Sequence, residues 1–299
     1  MVFAVSRTAL SLPIYVAESQ GYFVAEGVSL RVAECLGGVR CMRRLLEGDV
    51  ELATASDLPV MFNSFVRSDY AVVATFVTAS NDVKLIARRS AGISVAAHLE
   101  GKRVGTVKGA SSHYFLDAFL LFHGVDPKRV QAVDIAQENM VAALRNREVD
   151  ALAMWEPYGW LAARAVGADA VLLPDPQIYT ETFNLITTRR VLKERGDDVV
   201  RALRALAKAQ RFIAERPREA QNILKQRLGM DEDFIQWVWK DLDFRLALDQ
   251  SLITTLEAEA RWALREGHVA PGQTAPNYLR FIEPAPLRKA MPGERLPFQ

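Results

Sequence analysis

From its first residues to about residue 185 this chain alternates short β-branched runs with helical patterns, and nothing else in it constrains the fold as much. Runs near 2–5, 29–34, 51–55, 71–77, 83–88, 103–107, 130–135, 150–154, 170–173 and 183–188 read as strands. The segments between them carry helix punctuation. "LPIYVAESQG" has Pro13 in its opening turn and Gly21 as a stop, "RCMRRLLEG" stops at Gly48, and "SSHYFLDAFLLFHG" stops at Gly124. That alternation is the α/β signature. Half of the 299 residues are hydrophobic, enough for a substantial core in one large domain or two lobes.

After about residue 190 the strands are expected to cease. "DDVVRALRALAKAQRFIA" aligns Val199, Leu203, Leu206 and Ile213 on one face. A second helix runs from Pro217 to before Gly229, a third contains Phe234, Trp237 and Val238, and the last runs from about Asp249 to Gly267. Beyond it "EPAPLRKAMPGERLPFQ", with four prolines, reads as a loose extension.

Composition excludes several classes. Lys plus Arg number 37 against 36 Asp plus Glu, and no basic block is present to track a phosphate backbone, so nucleic acid is not an expected partner. The longest apolar run, "YAVVATFVTA", falls far short of the roughly 20 residues that span a bilayer, which predicts a soluble chain. "MVFAVSRT" reads as a buried strand, not a signal peptide; a cytosolic protein and one whose export segment lies outside this sequence both remain open. Cys35 and Cys41, with four histidines (His98, His113, His123, His268) that have no paired spacing, do not supply the roughly four ligands of a zinc site. No metal or cofactor is expected. A short disulfide requires Cα atoms roughly 4.4–6.8 Å apart; it remains open, with two free thiols favoured.

Catalytic signatures are thin. There is no G-x-S-x-G elbow, no Walker phosphate loop and no H-E-x-x-H pair, and glycines 101, 105 and 109 do not have the dinucleotide spacing. His113 beside Ser111 and Ser112 lies on consecutive helical positions that point different ways, so no nucleophile with its base is read here. A binding protein is expected, not an enzyme.

One pattern occurs twice. "LLEGDVELATAS" (45–56) and "ALRNREVDALAMW" (143–155) both pass from a helix end through a charged turn into a short strand with a polar or aromatic tip. Two lobes follow, each delivering strand-tip residues where helix N-termini also point. Gly109, Ser111 and Ser112 open a helix whose first backbone N–H groups have no partners and carry about half a unit of positive charge, a place for a small anion. By itself this pattern favours plain capping by serine. Thr54 and Ser56 in "ATASDLP" could present hydroxyls while Asp57 caps the next helix; Ser6, Arg7 and Thr8 follow the first strand, where an anion would meet Arg7. Trp155 offers a stacking face and Glu156 a carboxylate for an amine or ring nitrogen; for Trp155 inward packing weighs equally.

"GYFVAEGVSLRV", Gly37 with Gly38, "LLEGDVELATAS", "LEGKRVGTVKGASSHYFLDAFL" and "NREVDALAMWEPY", in that order across roughly residues 3–265, resemble the periplasmic substrate-binding proteins of ABC importers for nitrate, sulfonates, taurine and thiamine-type pyrimidines, the NMT1/THI5-like group. The resemblance implies a two-lobed type II periplasmic-binding-protein fold with a ligand cleft: lobe 1 over 1–86 and 183–299, lobe 2 over 87–182, crossings near 84–90 and 180–190. It implies a cleft lined by Ser6, Arg7, Thr8, Thr54, Ser56, Asp57, Ser80, Asn81, Ser111, Ser112, His113, Trp155 and Glu156. The serines at 111 and 112 are then expected both to cap their helix and to receive the acidic group of a small anionic or zwitterionic solute. A monomer in the periplasm, handing its ligand to an ABC permease, is the expectation. Alternatives are a pyrimidine-precursor binder stacking its ligand on Trp155, a pyrimidine synthase, whose cysteine-rich signature is missing here, and a ligand-sensing module of a signalling protein.

Overall fold

A computed structural model describes residues 1–175 and 177–293. By compactness the chain divides into two α/β units. Unit 1 holds Met1–Thr78, Thr182–Gln236 and the chain from Leu242 onward; unit 2 holds Ala79–Glu181 and Trp237–Asp241.

Unit 1 begins with β1 (Val2–Ser6), α1 (Leu12–Ser19), α2 (Tyr22–Ala25), β2 (Arg31–Cys35), α3 (Gly37–Glu47), β3 (Leu52–Ser56), α4 (Asp57–Ser64) and β4 (Tyr70–Ala79). Unit 2 continues with β5 (Lys84–Arg88), β6 (Arg103–Thr106), α5 (Ser111–Phe122), β7 (Gln131–Asp134), α6 (Met140–Arg145), β8 (Ala151–Met154), α7 (Tyr158–Val166) and β9 (Ala170–Leu173). The chain then runs through β10 (Glu181–Thr188), α8 (Arg189–Glu215), α9 (Pro217–Leu228), α10 (Glu232–Val238), β11 (Leu242–Asp243), α11 (Gln250–Arg265) and α12 (Ala285–Ala290).

The two sheets repeat one plan. In unit 1 the order is β11-β4-β10-β3-β1-β2, with β1 parallel to both β2 and β3, and β10 antiparallel to β3. In unit 2 it is β7-β6-β8-β5-β9, with β6 parallel to both β7 and β8, and β5 antiparallel to β8. The twice-occurring sequence pattern therefore ends in equivalent strands, β3 and β8. Each is the parallel strand that meets the returning antiparallel one. Helices cover these strands, so β3, β5 and β8 are buried along their whole lengths, polar residues at their ends included.

Parallel strands have a consequence for position. Every β-to-α connection leaves from the same edge, so β1, β2 and β3 deliver α1, α3 and α4 there, and β6, β7 and β8 deliver α5, α6 and α7. In unit 1 this edge is tightly built. A Cβ added at Gly38 would stand 2.9 Å from the Ala55 Cα and 3.3 Å from the Ser56 N. Only glycine lets α3 lie this close to the β3 backbone.

Four expectations are corrected. The boundary expected at 86/87 falls inside β5, whose pairing with β8 and β9 puts the whole strand in the second sheet. The tail is not free of strand: β11 extends the first sheet beside β4, and Thr75 bridges Ala247. The expected loose extension contains α12, whose Pro286 and Leu287 are buried; residues 294–299 lie outside the described residues. Cys35 and Cys41 are joined in a disulfide with Cα atoms 5.7 Å apart, because the end of β2 turns directly into α3.

Two outcomes follow for stability. Gly38→Ala should cost at least about 1–2 kcal/mol in urea unfolding despite the roughly 1 kcal/mol by which alanine favours a helix, because overpacking against fixed backbone outweighs propensity. Reducing the Cys35–Cys41 bond should lower stability by about 2 kcal/mol, the low end for a short loop, read from unfolding with and without reductant.

Candidate functional site

The turn after the central parallel strand of each sheet gathers the candidate groups. In unit 1 this is the turn after β1. The Ser6 N–H donates to Thr54 Oγ1 at 2.9 Å, and Ser11 Oγ and Tyr15 Oη both donate to the Ser6 carbonyl, at 2.6 and 3.2 Å. Thr54, fully buried at the tip of β3, is thus consumed in shaping the turn. The hydroxyls of Ser6 and Thr8 are buried and have no hydrogen-bond partner among the described residues. A buried hydroxyl without a partner costs about 1–3 kcal/mol, so these two are donors in waiting. Thr8 precedes the helical turn 9–11 without capping it by its side chain. Arg7 has a half-exposed side chain; its Nη2 donates to the Leu228 carbonyl at 3.0 Å and its Nε stands 4.0 Å from Glu34.

The equivalent turn of unit 2 leads from β6 into α5. Gly109 has φ +79°, which lets the chain double back into the helix, and the N-cap position is Ala110. Neither serine caps. Ser112 Oγ lies 2.9 Å from Thr106 Oγ1 and accepts the Val107 N–H at 3.2 Å, tying the helix to the end of β6. Ser111 is buried, but its hydroxyl enters no hydrogen bond with the described residues. No side chain caps the first turn of α5; the His113 N–H turns back to the Ala110 carbonyl at 2.8 Å, which leaves the Ser111 and Ser112 N–H groups and the helix dipole for an acceptor. His113 is buried beside it, its Nδ1 accepting weakly from the Gly109 N–H at 3.5 Å. The acid nearest in sequence register, Asp134 at the end of β7, accepts the Lys108 N–H at 3.0 Å.

The acidic candidates do other work. Asp57 is fully buried; its Oδ1 accepts the Leu58 N–H at 2.9 Å, and its Oδ2 accepts from the N–H and hydroxyl of Thr182 at 2.9 and 3.1 Å. It joins the end of β3 to the start of β10. Glu156 is its counterpart after β8. Fully buried, it meets Lys84 Nζ at 3.3 Å at the start of β5, accepts from Trp237 Nε1 at 2.5 Å through Oε1, and accepts the Trp160 N–H at 2.8 Å through Oε2. Its pKa is raised by burial, opposed by Lys84 and the two donors. Glu156 thus already serves three donors of its own unit.

Trp155 is 7 % exposed and belongs to the hydrophobic core of unit 2, the inward packing that weighed equally with a stacking face. Asn81 donates to Asp241 Oδ2 at 2.9 Å, and the Ser80 N–H donates to the Asp241 carbonyl at 3.4 Å. Ser56, at the end of β3, is buried and makes no cap with its hydroxyl. The candidates thus fall into three groups: Ser6, Arg7, Thr8, Thr54, Ser56 and Asp57 in unit 1; Ser111, Ser112 and His113 at α5; and Ser80, Asn81, Trp155 and Glu156 around a buried lysine. Sequence reasoning missed Thr106, which positions Ser112, and the charged pair Asp82 and Lys84. The charges within "NDVKLIA" were the available signal.

Comparison with known proteins gives this geometry a setting. The model of the family described as NMT1/THI5 like matches residues 9–220. A putative aliphatic sulfonates-binding protein of Bacillus subtilis is 23% identical across 77% of this chain and 71% of its own length. The taurine-binding periplasmic protein of Escherichia coli is 25% identical across 64% of this chain; the chain spans 59% of that protein's length. Among solved structures, the periplasmic aliphatic sulphonate binding protein SsuA from Escherichia coli superposes with a TM-score of 0.77 at 18% identity, covering 94% of this chain and 96% of its own. The desulfurization enzyme DSZB also shares the fold, with a TM-score of 0.69 at 15% identity over 97% of this chain and 98% of its own. The fold is thus the one that periplasmic binding proteins use, and it carries an enzyme as well. With a family model matched from the turn after β1 to the first turn of α9, this chain belongs to the NMT1/THI5-like family.

Proposed function

We propose that this chain is the solute-binding component of an ABC importer, which captures a small anion of the sulfonate class and presents it to a membrane permease without making or breaking a bond. The observation that carries this reading is the first turn of α5. Two serines stand in it and no side chain caps it. Open N–H groups with a positive dipole end suit a tetrahedral or planar anion, and the Ser111 hydroxyl adds a donor. The unpartnered hydroxyls of Ser6 and Thr8, after the equivalent strand of unit 1, supply donors of the same kind.

The names borne by the relatives, sulfonate- and taurine-binding, support the same class. An aminopyrimidine is less well served, since Trp155 lies in the core and Glu156 is engaged. Thiolate chemistry is not served either, because both cysteines are joined in a disulfide. That bond suits an oxidising compartment such as the periplasm, and no helix among the described residues is long and apolar enough to cross a membrane.

A thermal-shift screen of alkanesulfonates, taurine, nitrate and aminopyrimidines checks the class. A solute at 100 times its dissociation constant should stabilise the protein by about 2.7 kcal/mol, and only the sulfonates should reach this; a shift confined to pyrimidines would sink the proposal. Thr8→Val should weaken sulfonate binding about tenfold in calorimetry. It should leave the ligand-free protein as stable or up to about 1 kcal/mol more stable, because a methyl replaces a buried hydroxyl that lacks a partner. Unchanged affinity would remove Thr8 from the site.

A further inference from the structure

The buried charges of unit 2 do not balance. Asp82, Lys84 and Glu156 are 4 %, 3 % and 0 % exposed, so two carboxylates share one ammonium away from water. They are not equivalent. Glu156 receives three donors, from Lys84, Trp237 and Trp160, whereas neither buried oxygen of Asp82 closes a hydrogen bond of normal geometry among the described residues, although the Glu156 backbone N–H lies near enough to favour its charged form. Lys84 Nζ also donates to the Asn81 carbonyl and stands 5.4 Å from the centroid of the Trp237 ring. The charge is therefore on Glu156, and Asp82 is the carboxyl that can remain neutral.

The cluster holds an unusual piece of chain. Trp237–Asp241 belongs to unit 2, although the sequence on either side of it belongs to unit 1. Two ties secure it. Trp237 gives its indole N–H to Glu156 and lies 5.3 Å, centroid to centroid, from Trp160. Asp241 takes the Asn81 side-chain N–H on its carboxylate and the Ser80 N–H on its carbonyl. Glu156 fits because α7 begins with a close approach: a Cβ at Gly159 would stand 3.1 Å from Glu156 Oε1.

We propose that Asp82, Lys84 and Glu156 form a proton-operated latch: with a proton on Asp82 the cluster is balanced and Trp237–Asp241 stays seated on unit 2, and loss of that proton unseats it. An ionised Asp82 competes with Glu156 for Lys84, and a Glu156 drawn from its lysine no longer holds the Trp237 indole in a satisfied site. The charged groups that bear on Asp82 are Lys84 from β5, Glu156 after β8 and Asp241 from the segment itself; Lys84 also faces Asp175, after β9. In support, burial pushes the Asp82 carboxyl from its ordinary 3.8 up to about 7; Lys84 opposes this, Glu156 and Asp241 add to it, and the Glu156 backbone N–H opposes it.

The sign of the effect is fixed by linkage. A carboxyl that binds its proton more tightly when the segment is seated favours seating at low pH. The preference falls tenfold per pH unit between the ordinary value and about 7, then levels off. Hydrogen exchange of the full chain tests this, read as protection factors of the Ser80 amide and of amides 237–241. Protection should fall about hundredfold from pH 5 to pH 7 and change little from pH 7 to pH 8.5, while the amides of β1 and β3 follow no such profile. Asp82→Asn, which mimics the protonated carboxyl, should hold full protection at every pH. Protection independent of pH in the natural chain, or the same pH profile in Asp82→Asn, overturns the latch. Should Asp82→Asn fail to fold, Glu156→Gln serves: with Lys84 left to Asp82 alone the fall should move to lower pH, and an unmoved profile overturns the proposal as well. None of these readouts depends on a solute, so they stand or fall apart from the anion-binding reading.

Discussion

Parallel pairing of β1 with β2 and β3, and of β6 with β7 and β8, is the constraint on which everything else in this molecule rests. A parallel strand cannot return by a hairpin, so each must be followed by a crossover. All these crossovers start from one edge of the sheet. That edge collects helix N-termini, the one part of a helix with backbone donors to spare. The turns after β1 and β6 stand at the centres of their parallel trios, flanked on both sides, and this is why Ser6 and Thr106 are buried while still at strand ends. Donors held in such a place keep a fixed geometry without side-chain entropy to lose on binding.

The same plan explains the two carboxylates that most resembled ligand groups. Asp57 and Glu156 follow the two equivalent strands, β3 and β8, and each reaches across to the antiparallel strand that returns beside it, Asp57 to Thr182 and Glu156 to Lys84. The parallel trio has its crossovers to fix it; the returning strand has only its ladder. A short acid at the strand end adds a tie at the point where the ladder begins. In unit 1 the acid meets N–H and hydroxyl donors, whereas in unit 2 it meets an ammonium and has a further buried acid, Asp82, beside it. Buried ion pairs gain little net stability over an apolar packing but are costly when left unbalanced, so an excess carboxylate there is a lever and not an ornament.

Much of the fold was legible along the chain. Each strand longer than two residues among the described residues falls on a run read as a strand, and Gly48, Gly124 and Gly229 each follow a helix end as punctuation predicts. What escaped was decided by pairing across distance. β11, with Leu242 and Asp243, has too few residues to show a period and exists because β4 offers it an edge. α12 follows Pro284 in a polar, proline-containing stretch and gains its burial from packing against the core of unit 1. The disulfide depends on a Cα separation that residue spacing alone does not set.

The candidate site divides along the same line. Sequence by itself determined that Gly109, Ser111 and Ser112 open a helix after a strand, and that Ser6 to Thr8 and Thr54 to Asp57 stand at strand tips, because strand and helix periods are local properties of the chain. Tertiary structure alone decided what each side chain there does. Ser112 is turned to Thr106, Thr54 to the Ser6 amide, Asp57 to Thr182 and Glu156 to Lys84 and Trp237, while Thr8 and Ser6 are left with hydroxyls unpartnered. A polar group's role is set by which donors and acceptors remain once the backbone is placed, and most of those partners come from elements a hundred or more residues away in one case and a strand's width away in the next.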